Sequence, residues 1–139
     1  APQVGIRETR RIEGLYALAG EDILSSAKFD DSIGINAWPM EMHADGRIEW
    51  AFPRDDDRTY NQLPWRMLVP RQVDNLLVAG RCAAMTHEGQ SAARASGGCF
   101  VMGQAAGTAA ASLGSANFAD VDVPALQKKL VADGADIDR

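Results

Sequence analysis

Histidine and cysteine are scarce in this sequence, with two of each in 139 residues. His43, Cys82, His87 and Cys99 form no Cys-x-x-Cys pair and show none of the spacings of a metal site. That excludes a zinc framework and a dithiol redox motif. The two thiols read as free and buried, the usual state of unpaired cysteine. A disulfide between them would need an oxidising compartment. An excess of basic residues is also absent. The net charge is −5 and the pI near 4.9, which excludes the positive face that a nucleic-acid surface requires. No signal peptide opens the chain, because Ala1-Pro2-Gln3 runs directly into an expected strand, and the compartment expected is the cytoplasm. No internal repeat or low-complexity tract is found.

Charge is missing altogether from one stretch. Between Arg94 and Asp120 there is no Asp, Glu, Lys or Arg. The span is long enough to raise a membrane helix, and Gly103-x-x-x-Gly107 fits a helix-packing motif. Gln104, Thr108, Ser112, Asn117 and several glycines make it too polar, so no membrane association is expected. Met102 to Leu113 is built almost entirely of small residues. Such a helix presents no bulk, and its backbone can lie close to another element or a flat ligand. Gly98 leaves room at its N-terminus, where unpaired N–H groups and the positive end of the dipole favour negative charge. Upstream, Leu76-Leu77-Val78-Ala79 reads as a buried strand that stops at a tight Gly80-Arg81 turn. Strand, turn and small-residue helix together suggest a site for a large anionic cofactor.

The remainder is ordinary for one globular domain spanning residues 1–139, at 46% hydrophobic and 24% charged. Val4 to Leu18 alternates like a strand pair or one long strand, with Glu8 and Arg10 in the middle of its apolar face. Either the two form an ion pair, or the face is less buried than its pattern suggests, or it borders a substrate cavity and Arg10 becomes a catalytic candidate. A turn and short helical segment are expected at 20–24. Short strands are expected around Ser32–Ile35 and Trp38–Met42, and a hairpin around Asp45-Gly46. Pro53–Gln62 reads as a solvated charged loop, because Asp55-Asp56-Asp57 lacks the ligand spacing of a calcium loop. Leu63–Pro70 reads as extended, and Ala83–Ala95 as a loop with a helical turn. A last helix starts at Pro124, with Leu126 and Leu130 on one face and Gly134 at its end. The fold class expected is α+β: a small, mostly antiparallel sheet, a strand with the Ala/Gly-rich helix, and a C-terminal helix.

In order along the chain, RETRRIEGLYAL, FDDSI, WPMEMH, LPWRMLVP, NLLVAGR, THE, Cys99 and GQAAGTAAA resemble the C-terminal part of FAD-dependent oxidoreductases of the glutathione-reductase-like type. The resemblance covers nearly the whole chain. It implies that Ala79, Gly80 and Arg81 pass alongside the ribityl–pyrophosphate of FAD. Gly98 and Cys99 would point at the pyrimidine edge of the flavin, and Gly103 belongs to the same cofactor-facing helix. His87 would lie near the reactive face and accept the proton released as hydride leaves the substrate. Read from the residues alone, His87 is equally a hydrogen-bonded structural histidine, and His43 a polar strand end. Ala92, Gly97 and Gly98 stand where members of that type tend to carry Ser, Pro and Thr, so backbone donors replace side-chain ones there. The Gly-x-Gly-x-x-Gly unit that holds the ADP half of FAD occurs nowhere in these 139 residues. The expected role is therefore a C-terminal fragment or small subunit of such an enzyme, inactive alone. A partner chain carrying the missing half, or a second copy of this chain, would cover the small-residue helix. The alternative is a non-catalytic binding or interaction domain derived from such an enzyme.

Overall fold

A computed structural model describes residues 2, 5–54, 57–113 and 117–138. Alternation from Gly5 to Leu18 draws the chain out, but not into a ladder. Ile12 N donates to Cys82 O at 3.0 Å, Leu15 N to Val69 O at 2.9 Å, and Leu18 N to Ala84 O at 3.1 Å. Residue pairing is confined to isolated bridges, Gly14 with Pro70 and Leu18 with Met85. Its neighbours on both sides are bends and 3₁₀ turns, so there is no regular edge for a strand to register against. The expected strand is instead a threaded, extended segment, and Val4 lies outside the described residues.

The segment ends in a short helix, α1 (Gly20–Leu24). The Asp22 carboxylate accepts the Ala19 N–H at 2.8 Å and the Tyr16 hydroxyl at 2.9 Å, an acidic residue suited to a helix start. Four strands follow. β1 (Ser32–Asn36) pairs antiparallel with β4 (Asn61–Pro64), and β2 (Met40–Ala44) with β3 (Arg47–Ala51). Asp45 and Gly46 join β2 to β3 at φ 49° and 75°, the two left-handed positions of a type I′ hairpin turn. The expected extended piece at 63–70 is broken after the end of β4 by a 3₁₀ turn, Trp65–Leu68. The turn carries Trp65 into the core, where its indole N–H donates to Phe118 O at 3.2 Å. Of the triple-aspartate loop, Asp55 and Asp56 lie outside the described residues. Arg54 at its start forms a bidentate pair with Glu21, at 2.7 and 3.0 Å.

The small-residue helix is α3 (Ser96–Leu113), and it packs against β1 and the last helix, α4 (Val123–Ala132). Asp122 caps α4 by accepting the Ala125 N–H at 3.0 Å, and Pro124 sits in the first turn. Leu126 and Leu130 are both buried, and Gly134 ends the helix at φ 87°. The class is thus α+β with a C-terminal helix, but the sheet is two separate antiparallel pairs. One expectation fails outright. Residues 76–79 form no strand, and Leu76 is 43% exposed. Among the described residues the segment makes one backbone bond outward, Val78 N to Leu68 O at 2.9 Å. Apolar side chains alone do not make a strand without an edge to pair with. No helix among the described residues is long and apolar enough to cross a membrane.

Candidate functional site

The site grows from a corner between two helices. α2 (His87–Ala93) is capped by Thr86, whose Oγ1 accepts the Gly89 N–H at 3.1 Å. It ends at Arg94, and α3 begins two residues later. Gly98 makes so sharp a corner possible, since a Cβ there would lie 2.7 Å from Ala93 O. Into the corner fits a 3₁₀ turn, Gly80–Cys82. Gly80 has φ 78°, a conformation that favours glycine, and a Cβ on it would come 3.8 Å from Cys99 Sγ. The fully buried Gln90 fastens the turn: its Nε2 donates to Arg81 O at 2.9 Å.

Two cavities flank the N-terminus of α3. One, of about 170 Å³, is lined by Arg7, Trp38, Glu41, Arg81, Arg94 and Ser96 among others. The other, of about 250 Å³, is lined by Ile35, Asn36, Trp38, Ala95, Gly97 and Gly98 among others. Trp38 and Ala95 border both. Cys99 N–H bonds to Ala95 O at 3.1 Å, but the amides of 96–98 precede the first intrahelical bond and have no partner within the helix. This end of α3 therefore carries partial positive charge between two open spaces. Burial pushes the Cys99 thiol above its ordinary pKa, opposed by the nearby Arg81 charge, so it is a protonated thiol at neutral pH. The expectation of two buried thiols holds only in part: Cys99 is half-buried and Cys82 is exposed.

At the other end of α2, His87 Nδ1 lies 2.9 Å from both carboxylate oxygens of Glu8. Arg11 grips the same carboxylate. The hydrogen bond from His87 holds the Glu8 carboxyl below its usual pKa; burial opposes it, and Arg11 assists. An ionised carboxylate only accepts, so Nδ1 carries the proton and Nε2 is left as the acceptor in the neutral ring.

The family model described as FAD dependent oxidoreductase matches residues 1–130. The chain belongs to this family. No curated protein and no solved structure gave a match. In this chain the residues expected to face the cofactor are largely gathered. Ala79, Gly80 and Arg81 lie in and beside the turn that abuts Cys99, and Gly98 forms the corner. Gly103 stands further along α3, on its open side, with nothing within 4 Å of where a Cβ would be. The two catalytic candidates are not brought to the cavities. His87 and Arg94 stand seven positions apart at the two ends of α2, about 10 Å along the axis. Arg10 is exposed, and the ion pair considered for it does not form, because Glu8 turns to Arg11 and His87 instead.

The residues fit a flat ring with a negatively polarised edge. Gly97 and Gly103 leave open space, Trp38 and Ala95 give an apolar wall, and the unpaired amides of α3 supply donors. Sequence reasoning missed Arg7, Arg94, Trp38 and Gln90. Trp38 stands ahead of β2, beside Pro39, which keeps it out of the strand. Arg94 was legible as the last charge before the long uncharged span. Nothing in the sequence pattern singles out Gln90 or Arg7.

Proposed function

We propose that this chain forms the flavin-facing part of the oxidoreductase and one side of its substrate pocket. The observation that carries the reading is the α3 N-terminus, opening between two cavities with the Gly80–Arg81 turn against it. Ala79, Gly80, Arg81, Gly98, Cys99 and Gly103 would hold FAD, the first three by close backbone approach and a fixed positive charge. When bound, FAD supplies the two-electron acceptor for a hydride from the substrate. The amides at 96–98 favour negative charge beside them, and the β2–β3 hairpin closes the substrate side. For His87, oriented by Glu8, to accept the substrate proton at Nε2, the substrate would have to extend about 10 Å along α2 from the cavity at Arg94. The Gly-x-Gly-x-x-Gly unit for the ADP half comes from outside residues 1–139, and the outer side of α3 is its seat. Free thiols at Cys82 and Cys99 suit the reducing cytoplasm.

The test is reconstitution with the dinucleotide-binding half, followed through flavin absorbance. Arg81→Ala should weaken FAD binding by about 1.5–3 kcal/mol, the scale of a charge-assisted hydrogen bond. His87→Ala should slow flavin reduction while FAD still binds. Unchanged FAD affinity with a lowered melting temperature would make Arg81 a structural residue and defeat the reading.

A further inference from the structure

We propose that the cavity shared by Arg7, Arg81 and Arg94 binds the carboxylate of a small organic acid. The chain as a whole is acidic, at net charge −5, yet three arginines from separate segments line this one space of about 170 Å³. Glu41 is the one acidic residue among those lining it, and its carboxylate accepts from His43 Nε2 at 3.1 Å. No carboxylate among the described residues lies within 4.0 Å of the Arg7, Arg81 or Arg94 guanidinium. Like charges so gathered repel, and an anion between them relieves the repulsion.

Arg94 and the Arg81 backbone are held in place. Arg94 Nη2 donates to Glu41 O at 3.0 Å, and Gln90 fixes the Arg81 backbone at 2.9 Å. Arg7 comes from the threaded N-terminal segment, with Nη2 3.5 Å from His43 Nε2. Guanidinium forks match a carboxylate in two parallel hydrogen bonds. Ser96, at the start of α3, adds the positive end of an 18-residue helix to the same wall. Trp38 and Ala95 add an apolar surface to the same cavity. A bare inorganic anion makes no use of that surface, whereas the carbon body of an organic acid covers it. As the substrate seat beside the flavin, this assignment rests on the function proposed above. As an oxyanion site, it stands on the cavity alone.

Calorimetric titration of the chain without FAD separates the two. Succinate should bind saturably at one site and be displaced by raised chloride. Arg7→Gln and Arg94→Gln should each weaken it about tenfold or more, the loss of one charge-assisted hydrogen bond. Arg47→Gln, on the exposed hairpin, should leave it unchanged. Arg7 is exposed and holds no element in place, so its variant remains informative if Arg94→Gln fails to fold. Absence of saturable succinate binding, or equal binding by the Arg7 and Arg47 variants, would overturn the proposal. Inorganic phosphate binding more tightly than succinate through the same arginines would also overturn it, and would assign the cavity to a cofactor phosphate. Failure of FAD reconstitution leaves this titration unaffected.

Discussion

Along α3, Gly98, Met102, Ala105 and Ala109 are buried, while Phe100, Gly103, Gly107 and Ala110 stand open to solvent. Both sides are made mostly of small residues, with Gln104 and Ser112 adding polar groups on the open side, and neither carries a charge. The inner side is explained by its own fold, because β1 and α4 close over it. The outer side has no such cover among the described residues, and Phe100 is 76% exposed. A helix that faces water ordinarily presents polar residues there. Under the function proposed above, the inner side of α3 answers to this chain's own core and the outer side to a dinucleotide-binding half beyond it.

The inner side should be the harder to alter. Ala105 is fully buried, and Ala105→Leu inserts three carbons where close packing leaves no space. The expected loss is about 1–3 kcal/mol, read from denaturant unfolding. A loss of less than a few tenths would mean that α3 stands further from β1 than described.

On the outer side the sign reverses. A Cβ at Gly107 meets nothing within 4 Å, and glycine in a helix interior costs about 0.5–1 kcal/mol relative to alanine. Gly107→Ala should stabilise the chain by that amount and weaken its docking to a dinucleotide-binding half. Stabilisation with undiminished docking would break the comparison, since the outer side would then need no close approach.

This contrast explains what was legible in the sequence. The type I′ turn at Asp45-Gly46, the α4 boundaries at Pro124 and Gly134, and α3 itself follow from local chemistry that acts within a few residues. Which side of α3 faces inward did not follow, because Ala and Gly on both sides erase the periodicity that marks an amphipathic helix. Leu76–Ala79 and Gly5–Leu18 carried strand patterns, but a pattern reports burial and extension, and the pairing edge is a tertiary fact. At the site, the Gly80–Arg81 turn was marked by glycine. The cluster of Arg7, Arg81 and Arg94 was not, since its members lie up to 87 residues apart in the numbering and meet only in the fold.

The smallest expected effect lies at the far end of α2, where Glu8 joins the extended N-terminal segment to the helix start. The hydrogen bond from His87, with Arg11 beside it, holds the Glu8 carboxyl below its ordinary pKa in the folded chain. A lowered folded value means that the contact contributes its full stability above the ordinary glutamate pKa. That contribution is lost as the pH falls through the lowered value and Glu8 takes up a proton. Because the pair is accessible to water, its worth should be about 0.2–1 kcal/mol. Titration of the Glu8 carboxyl carbon by NMR should show the depressed value, and His87→Gln should move it up toward the ordinary one. When Glu8 of the unaltered chain takes up a proton, the imidazole also loses the anchor that leaves Nε2 as its acceptor, so under the proposed function the same two residues would couple folding in acid to proton transfer. A Glu8 that titrates at its ordinary pKa in the unaltered chain would show that His87 is not held there, and the orientation argued for its ring would fall with it.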